Sequence, residues 1–251
     1  MTTNLAWILG SNSIIAKNIS SNLLQSNYDI TYFSRRFDSY KVGHIHLDFS
    51  SADNVYTCLK SQFLLARPSS VIFCQRYRPS TIVGDKSGLT DLDHCHQGLD
   101  VELSPLFSLF RLLQEEPSTV KTKPLSIVLL SSVAGIASSF DLPIYYHFLK
   151  AACVSLLTCL STSLAKKHNA RLNCVLFGEI QKYPLHEYTQ SQQRQFSDIE
   201  SFSGLSPCTP QDVANAVKFC ASSDSRLLNG QLIKLDGGLF DLSIESYLRS
   251  S

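Results

Sequence analysis

The sequence predicts an α/β chain, a doubly wound sheet of about seven mainly parallel strands with helices on both faces. Three observations lead there. Short apolar runs alternate with amphipathic stretches along the whole chain. One run, Val71-Ile72-Phe73-Cys74, is apolar at every position, as in strands covered on both faces. The repeated strand–helix order itself requires parallel strands joined by crossover helices.

Leu5 to Leu9 forms the first strand, and Gly10-Ser11-Asn12-Ser13 the turn and N-cap cluster behind it. Ile14 to Gln25 follows as a helix, with Ile15, Ile19, Leu23 and Leu24 on one face. Tyr28 to Phe33 and His44 to Leu47 are the second and third strands, and Ala52 to Leu65 is helical. After the fourth strand at 71–74, a long helical stretch covers about Leu89 to Glu115, with a break at Pro105. Leu125 to Leu130 is a strand ending in Ser131-Ser132, followed by a helix from Tyr145 to Lys167 and a strand from Leu172 to Phe177. Residues 181–207 lack a clear period and read as a substrate loop or lid. Pro210 opens a helix to Ala221, and Gln231 to Leu235 closes the sheet.

No linker or composition break divides the 251 residues, so residues 1–251 are expected to form one domain. Hydrophobic residues at 44% provide ample core, and a net charge of +1 gives no general electrostatic attraction for nucleic acid or anionic membrane. Eight scattered cysteines without a C-x-x-C pair read as reduced thiols. Met1-Thr2-Thr3-Asn4 lacks the basic start of a secretory signal, and a cytoplasmic protein is expected.

Ligands of a doubly wound sheet bind beyond the carboxyl ends of its strands. The first turn there offers Gly10 for a tight bend and Ala16 for helix–strand packing, with Ile14 where a middle glycine is usual. The N–H groups of a helix N-terminus bind phosphate whatever the side chains, so Gly10, Ser11, Asn12, Ser13, Ile14 and Ile15 are candidate cofactor residues. An ordinary strand–turn–helix would read the same way. The second strand ends in Ser34-Arg35-Arg36, two guanidiniums and no acid, which favours NADP over NAD because arginine accommodates a 2′-phosphate. Solvated loop arginines are the alternative. Asp48, followed by Phe49, is placed to accept from an adenine amino group, or is a plain turn aspartate.

Tyr146 and Lys150 are i and i+4 and share a helix face. Free tyrosine titrates near 10, and a neighbouring ammonium favours its phenolate, making the pair a general acid for a carbonyl or base for an alcohol. Ser132, at the end of the preceding strand, is placed to bond the same substrate oxygen. Asp93-His94-Cys95-His96 carries metal-type side chains, but neighbours on a helix point apart, so no metal site is expected.

These pieces together resemble the short-chain dehydrogenase/reductases over nearly the whole chain. The matching stretches are Leu9-Gly10 to Ala16, Asp48, Ser131 to Gly135, Tyr146 to Lys150, Val175 to Ile180, Thr209 to Ala214, and Leu235 to Gly238. The resemblance implies a seven-stranded Rossmann sheet, a nicotinamide cofactor, catalytic Ser132, Tyr146 and Lys150, and a homodimer or homotetramer. Lys150 would also hold the nicotinamide ribose, and Cys74, Gln75, Gly178 and Ile180 would face the cofactor.

The departures are Ile14, Cys74-Gln75-Arg76-Tyr77 for the usual Asn-Asn-Ala-Gly, Phe177 for the usual proline before Gly178, and Glu102 at the place of a helix asparagine. Glu102 is a further catalytic candidate: it carries a proton relay, pairs with Lys150, or marks weakened catalysis. The enoyl-reductase branch spaces its tyrosine seven residues before the lysine, where this chain has Pro143. The expected function is therefore NADP-dependent reduction of a small carbonyl compound or oxidation of an alcohol. The alternative is a catalytically weak, nucleotide-binding subunit or scaffold.

Overall fold

The structure, a computed structural model, describes residues 4–36, 42–79, 90–116, 123–137 and 142–239. Seven parallel strands form one sheet: β1 (Asn4–Leu9), β2 (Tyr28–Ser34), β3 (His44–His46), β4 (Ser70–Phe73), β5 (Leu125–Ser132), β6 (Ala170–Phe177) and β7 (Leu232–Leu235), in the order β3-β2-β1-β4-β5-β6-β7. The helices are α1 (Ile14–Leu24), α2 (Ala52–Leu65), α3 (Asp91–Glu102), α4 (Ser104–Glu115), α5 (Ile144–His168), α6 (Gln190–Ser203) and α7 (Pro210–Ala221).

Alternate strand residues face opposite layers, although the central strands are apolar on both sides. Ala6, Ile8, Ile72, Val128 and Val175 pack with Ile19 and Leu23 of α1 and Val213 and Val217 of α7. Trp7, Leu9, Val71, Phe73, Ile127 and Leu129 pack with Leu59 of α2, Leu106 and Leu113 of α4, and Leu157 and Leu164 of α5. The expected doubly wound sheet is therefore present with all seven strands parallel.

Strand register positions the site. Leu9 lies opposite Phe73, Phe73 opposite Leu129, and Leu129 opposite Cys174. From that level β5 continues three residues to Ser132, paired with Phe177. At about 3.3 Å per residue, Ser132 overhangs the ends of β1 and β4 by roughly 10 Å.

Three expectations are refined. The helical stretch after β4 is two helices meeting at Leu103, with Pro105 in the first turn of α4 where its missing N–H costs no helical bond. Its expected start at Leu89 lies outside the described residues. Residues 181–207 are not irregular throughout, because α6 occupies Gln190–Ser203. This helix is mostly polar and buries only Phe196, so no apolar period marks it. Finally, α5 is long and apolar enough to cross a membrane by length and composition. Here it lies along the sheet, with Leu149, Cys153, Leu157 and Leu164 buried. All eight cysteines are free thiols.

Candidate active site

A cleft of about 1960 Å³ runs along the carboxyl ends of the strands. At one end lies the first turn. Gly10 has φ +81°, and a Cβ there would collide with the backbone of Gln75. Glycine is required both for the left-handed conformation and for the close approach to the β4 exit. The Gly10 and Ser11 amides donate to Phe33 O at 2.8 and 3.2 Å, binding the turn to the end of β2. Ser13 caps α1 by accepting from Ala16 N at 3.1 Å.

Asn12, Ser13, Ile14 and Ile15 line the cleft together with Gly10. Ser11 is not among the lining residues; it is 1% exposed, packed beneath the turn its amide helps to fix. Ser34, Arg35 and Arg36 line the same end. Asn12 Nδ2 donates to Arg36 O at 2.9 Å, and Ser34 Oγ donates to the same carbonyl at 2.9 Å. The two arginines therefore stand on an anchored backbone with exposed side chains. Asp48 and Phe49 are adjacent in the cleft wall. The amide of Ser50 donates to Asp48 Oδ1 at 3.0 Å and holds its carboxyl below the usual carboxylate range.

Farther along stand Ser132, Tyr146 and Lys150; Gly178 and Ile180 also line the cleft, as do Cys74 and Gln75 beside the Gly10 turn. Two glycines let this group assemble. A Cβ on Gly135 would meet the carbonyl oxygen of Lys150 at 2.6 Å, so the 3-10 turn Val133–Gly135 packs directly on the α5 backbone. That contact fixes Ser132 relative to α5. Within the same turn Ser132 Oγ accepts from Ala134 N at 3.2 Å, and His147 Nδ1 donates to Ala134 O at 2.8 Å. The second glycine is Gly98, where a Cβ would overlap the Leu149 side chain. Gly98 and Glu102 share a face of α3, so the close approach at Gly98 delivers Glu102 to Lys150.

Glu102 Oε2 receives Lys150 Nζ at 2.5 Å, with the lysine side chain 4% and the glutamate 3% exposed. Glu102 Oε1 accepts from Tyr77 N at 3.0 Å. Of the two structural options for Glu102, pairing with Lys150 is the arrangement present. Burial pulls the Lys150 pKa down, but the surrounding charges, Glu102 foremost, outweigh burial and raise it above the ordinary lysine value. Lys150 Nζ is 5.2 Å from the Tyr146 ring centroid.

Arg76, in the sequence part of a departure after the fourth strand and not a site candidate, places Cζ 4.8 Å from the Tyr146 ring centroid. Lys182, Tyr183, Gln195, Ile199 and Leu205 bring the 181–207 segment to the cleft wall. Gln181 N donates to Cys208 O at 2.9 Å and closes that segment at its base. Two residues of the metal-type run have other partners: Asp93 completes a capping box with Thr90, and His94 packs between Tyr77 and Tyr145.

Known proteins agree with this architecture. A family model described as Enoyl-(Acyl carrier protein) reductase matches residues 83–240. The chain is 26% identical over 153 residues to the uncharacterized oxidoreductase YmfI of Bacillus subtilis (strain 168), covering 60% of each. It is 30% identical over 156 residues to a 7alpha-hydroxysteroid dehydrogenase of Bacteroides fragilis, covering 59% of this chain and 56% of that one. The aligned region thus spans well under two thirds of either relative. The solved structure of ElxO with NADP bound superposes with a TM-score of 0.75 at 19% identity, covering 96% of this chain and 100% of that chain. With the family match extending over more than half of the sequence and the sheet order and strand-end cleft in agreement, the chain belongs to the short-chain dehydrogenase/reductase family.

Proposed function

We propose that this chain is an NADP-dependent oxidoreductase of the ketoreductase or alcohol dehydrogenase type, acting on a small carbonyl or alcohol compound. One observation carries the reading: Ser132, Tyr146 and Lys150 line the same cleft as the Gly10 turn and the Arg35–Arg36 pair. The residues present fit a dinucleotide. Gly10 keeps the turn low against Gln75, the capped N-terminus of α1 offers N–H groups to a diphosphate, and Asp48 faces the adenine end. Arg35 and Arg36 suit a 2′-phosphate, and Ser34, Phe49, Cys74, Gln75, Gly178 and Ile180 complete the walls. ElxO, whose structure contains NADP, shares the fold.

A bound nicotinamide supplies the hydride. Tyr146 gives a proton to the carbonyl oxygen in reduction and removes it from the alcohol in oxidation. Ser132 donates a hydrogen bond to that oxygen and orients it. Lys150, held by Glu102, presents a fixed ammonium below the phenol and to the cofactor ribose; Glu102 is thus a positioning residue for Lys150. The 181–207 segment, with α6, closes over the substrate. Pro143 stands seven residues before Lys150, which favours C=O over C=C chemistry despite the description of the matching family model.

Helix α5 points to self-association as a dimer or tetramer. Near its N-terminus Ile144 and Phe148, four residues apart on one face, remain 70% and 45% exposed. A small-molecule substrate and a cytoplasmic location suit an NADPH-consuming enzyme. The direct test is Tyr146→Phe, which should abolish turnover and leave NADPH binding intact; unchanged turnover would refute the assigned proton donor.

The buried Lys150–Glu102 pair supports a second reading, a nucleotide-binding subunit of low turnover. Strong NADPH binding with negligible reduction across a broad carbonyl panel would favour that reading.

A further inference from the structure

The buried cation below Tyr146 is neutralised by Glu102. A second cation stands against the face of the phenol ring: Arg76, with Cζ 4.8 Å from the centroid. Its backbone is pinned on both sides. Gln75 Nε2 donates to Glu102 O at 3.1 Å, and Tyr77 N donates to Glu102 Oε1 at 3.0 Å. Farther out, the Tyr77 hydroxyl donates to Gln97 Oε1 at 2.9 Å and lies 2.7 Å from His94 Nδ1. Helix α3 therefore holds the loop that presents Arg76.

Cations packed against the body of the fold have acceptors. Lys60 and Arg111 meet Glu115, Arg67 meets Glu116, and Arg171 bonds the carbonyls of Cys220, Ser222, Ser225 and Leu228. Arg76 lines the cleft, and among the described residues no carboxylate pairs with it. A guanidinium stacked on a ring keeps its N–H edge available for a planar two-oxygen acceptor.

We propose that Arg76 binds an anionic group of the substrate, so that the compound reduced at Tyr146 is a short oxo acid. The inference rests on the oxidoreductase reading above and adds the substrate class. The closeness of Arg76 to the Tyr146 ring sets the spacing, with the carboxylate only a few bonds from the reacting carbonyl. The carboxylate occupies the guanidinium edge while the carbonyl oxygen meets the Tyr146 and Ser132 hydroxyls. An oxyanion has one other source in this cleft, the diphosphate of the cofactor, and the experiment separates the two.

Pyruvate, acetoacetate and levulinate are each compared with their methyl ester, following NADPH consumption by wild type, Arg76→Gln and Arg76→Lys. NADPH affinity is measured in parallel by fluorescence titration. In wild type at least one acid should exceed its ester in kcat/KM by roughly tenfold to a hundredfold, the worth of a charge-assisted contact. Arg76→Gln should bring that ratio near parity with NADPH affinity unchanged, and Arg76→Lys should restore part of it. Esters that match or outperform their acids in wild type, or a ratio untouched by Arg76→Gln, overturn the inference and leave the oxidoreductase reading standing. Weakened NADPH binding in Arg76→Gln with the ratio unchanged assigns Arg76 to the diphosphate and also overturns it. NADPH binding without turnover of any of these compounds excludes a short oxo acid. Failure to bind NADPH at all removes the underlying reading itself.

Discussion

Replacing Glu102 with glutamine removes one charge from the buried pair and nearly preserves shape. With Nζ and Oε2 2.5 Å apart, the two charges attract by roughly 6–7 kcal/mol at an effective dielectric constant of about 20. That gain is offset by desolvation of several kcal/mol for each ion, so the intact pair adds little net stability. The variant, however, keeps a buried ammonium without its counter-charge, which costs about 3 kcal/mol or more at pH 7. For a chain of this size each kcal/mol lowers Tm by about 2–4 °C, so a loss of about 6–12 °C is expected.

The pH dependence has a definite sign. In wild type the Lys150 pKa is raised, so its contribution is present below the ordinary lysine value and is lost as pH rises through the folded value. Without Glu102, burial is the leading influence and favours the neutral amine. The variant therefore gains stability as pH rises toward about 10. Thermal unfolding of both proteins between pH 7 and 10 should show the widest gap at pH 7 and a narrowing above it. The double variant Glu102→Leu/Lys150→Met, which removes both charges, should recover much of the lost stability. A pH-independent loss under about 1 kcal/mol would show that the pair does not form.

Other perturbations have separate readouts. Tyr146→Phe should lower kcat by at least about a hundredfold, the usual scale for a positioned acid, with NADPH affinity unchanged by titration. Arg36→Ala should weaken NADPH by roughly tenfold or more while leaving NADH affinity unaltered, measured by competitive fluorescence. Gly10→Ala combines φ +81° with a backbone collision at Gln75, and should cost on the order of 1–3 kcal/mol in denaturant unfolding and reduce cofactor affinity.

Much of this fold is legible in the sequence because the central strands are short, apolar and separated by recognisable turns. Helix α6 is not, since it buries only Phe196 and has no apolar stripe. Its signals are terminal: the Thr189–Gln192 capping box and Gly204 in a left-handed C-cap. At the site, Tyr146 and Lys150 are readable because four residues of helix fix their relation. Glu102 meets Lys150 across 48 residues, and that meeting depends on the bare face of Gly98 beneath Leu149. Sequence offered the pairing as one option; helix packing selects it. Arg76 is the reverse case. The sequence marks it only as a departure after the fourth strand; its place on the Tyr146 ring follows from the path of a loop tied to Glu102 through Gln75 and Tyr77. Ser11 shows the same limit at the other end, a polar turn residue that packing buries.

Titration of the purified protein with NADPH and with NADH, followed by nicotinamide fluorescence, tests the central claim most directly. Saturable binding of both cofactors, with NADPH the tighter, is the predicted result, because Arg35 and Arg36 share a cleft with the Gly10 turn and Tyr146. Tighter NADH binding would contradict the assignment of the two arginines, and binding of neither would contradict the oxidoreductase account.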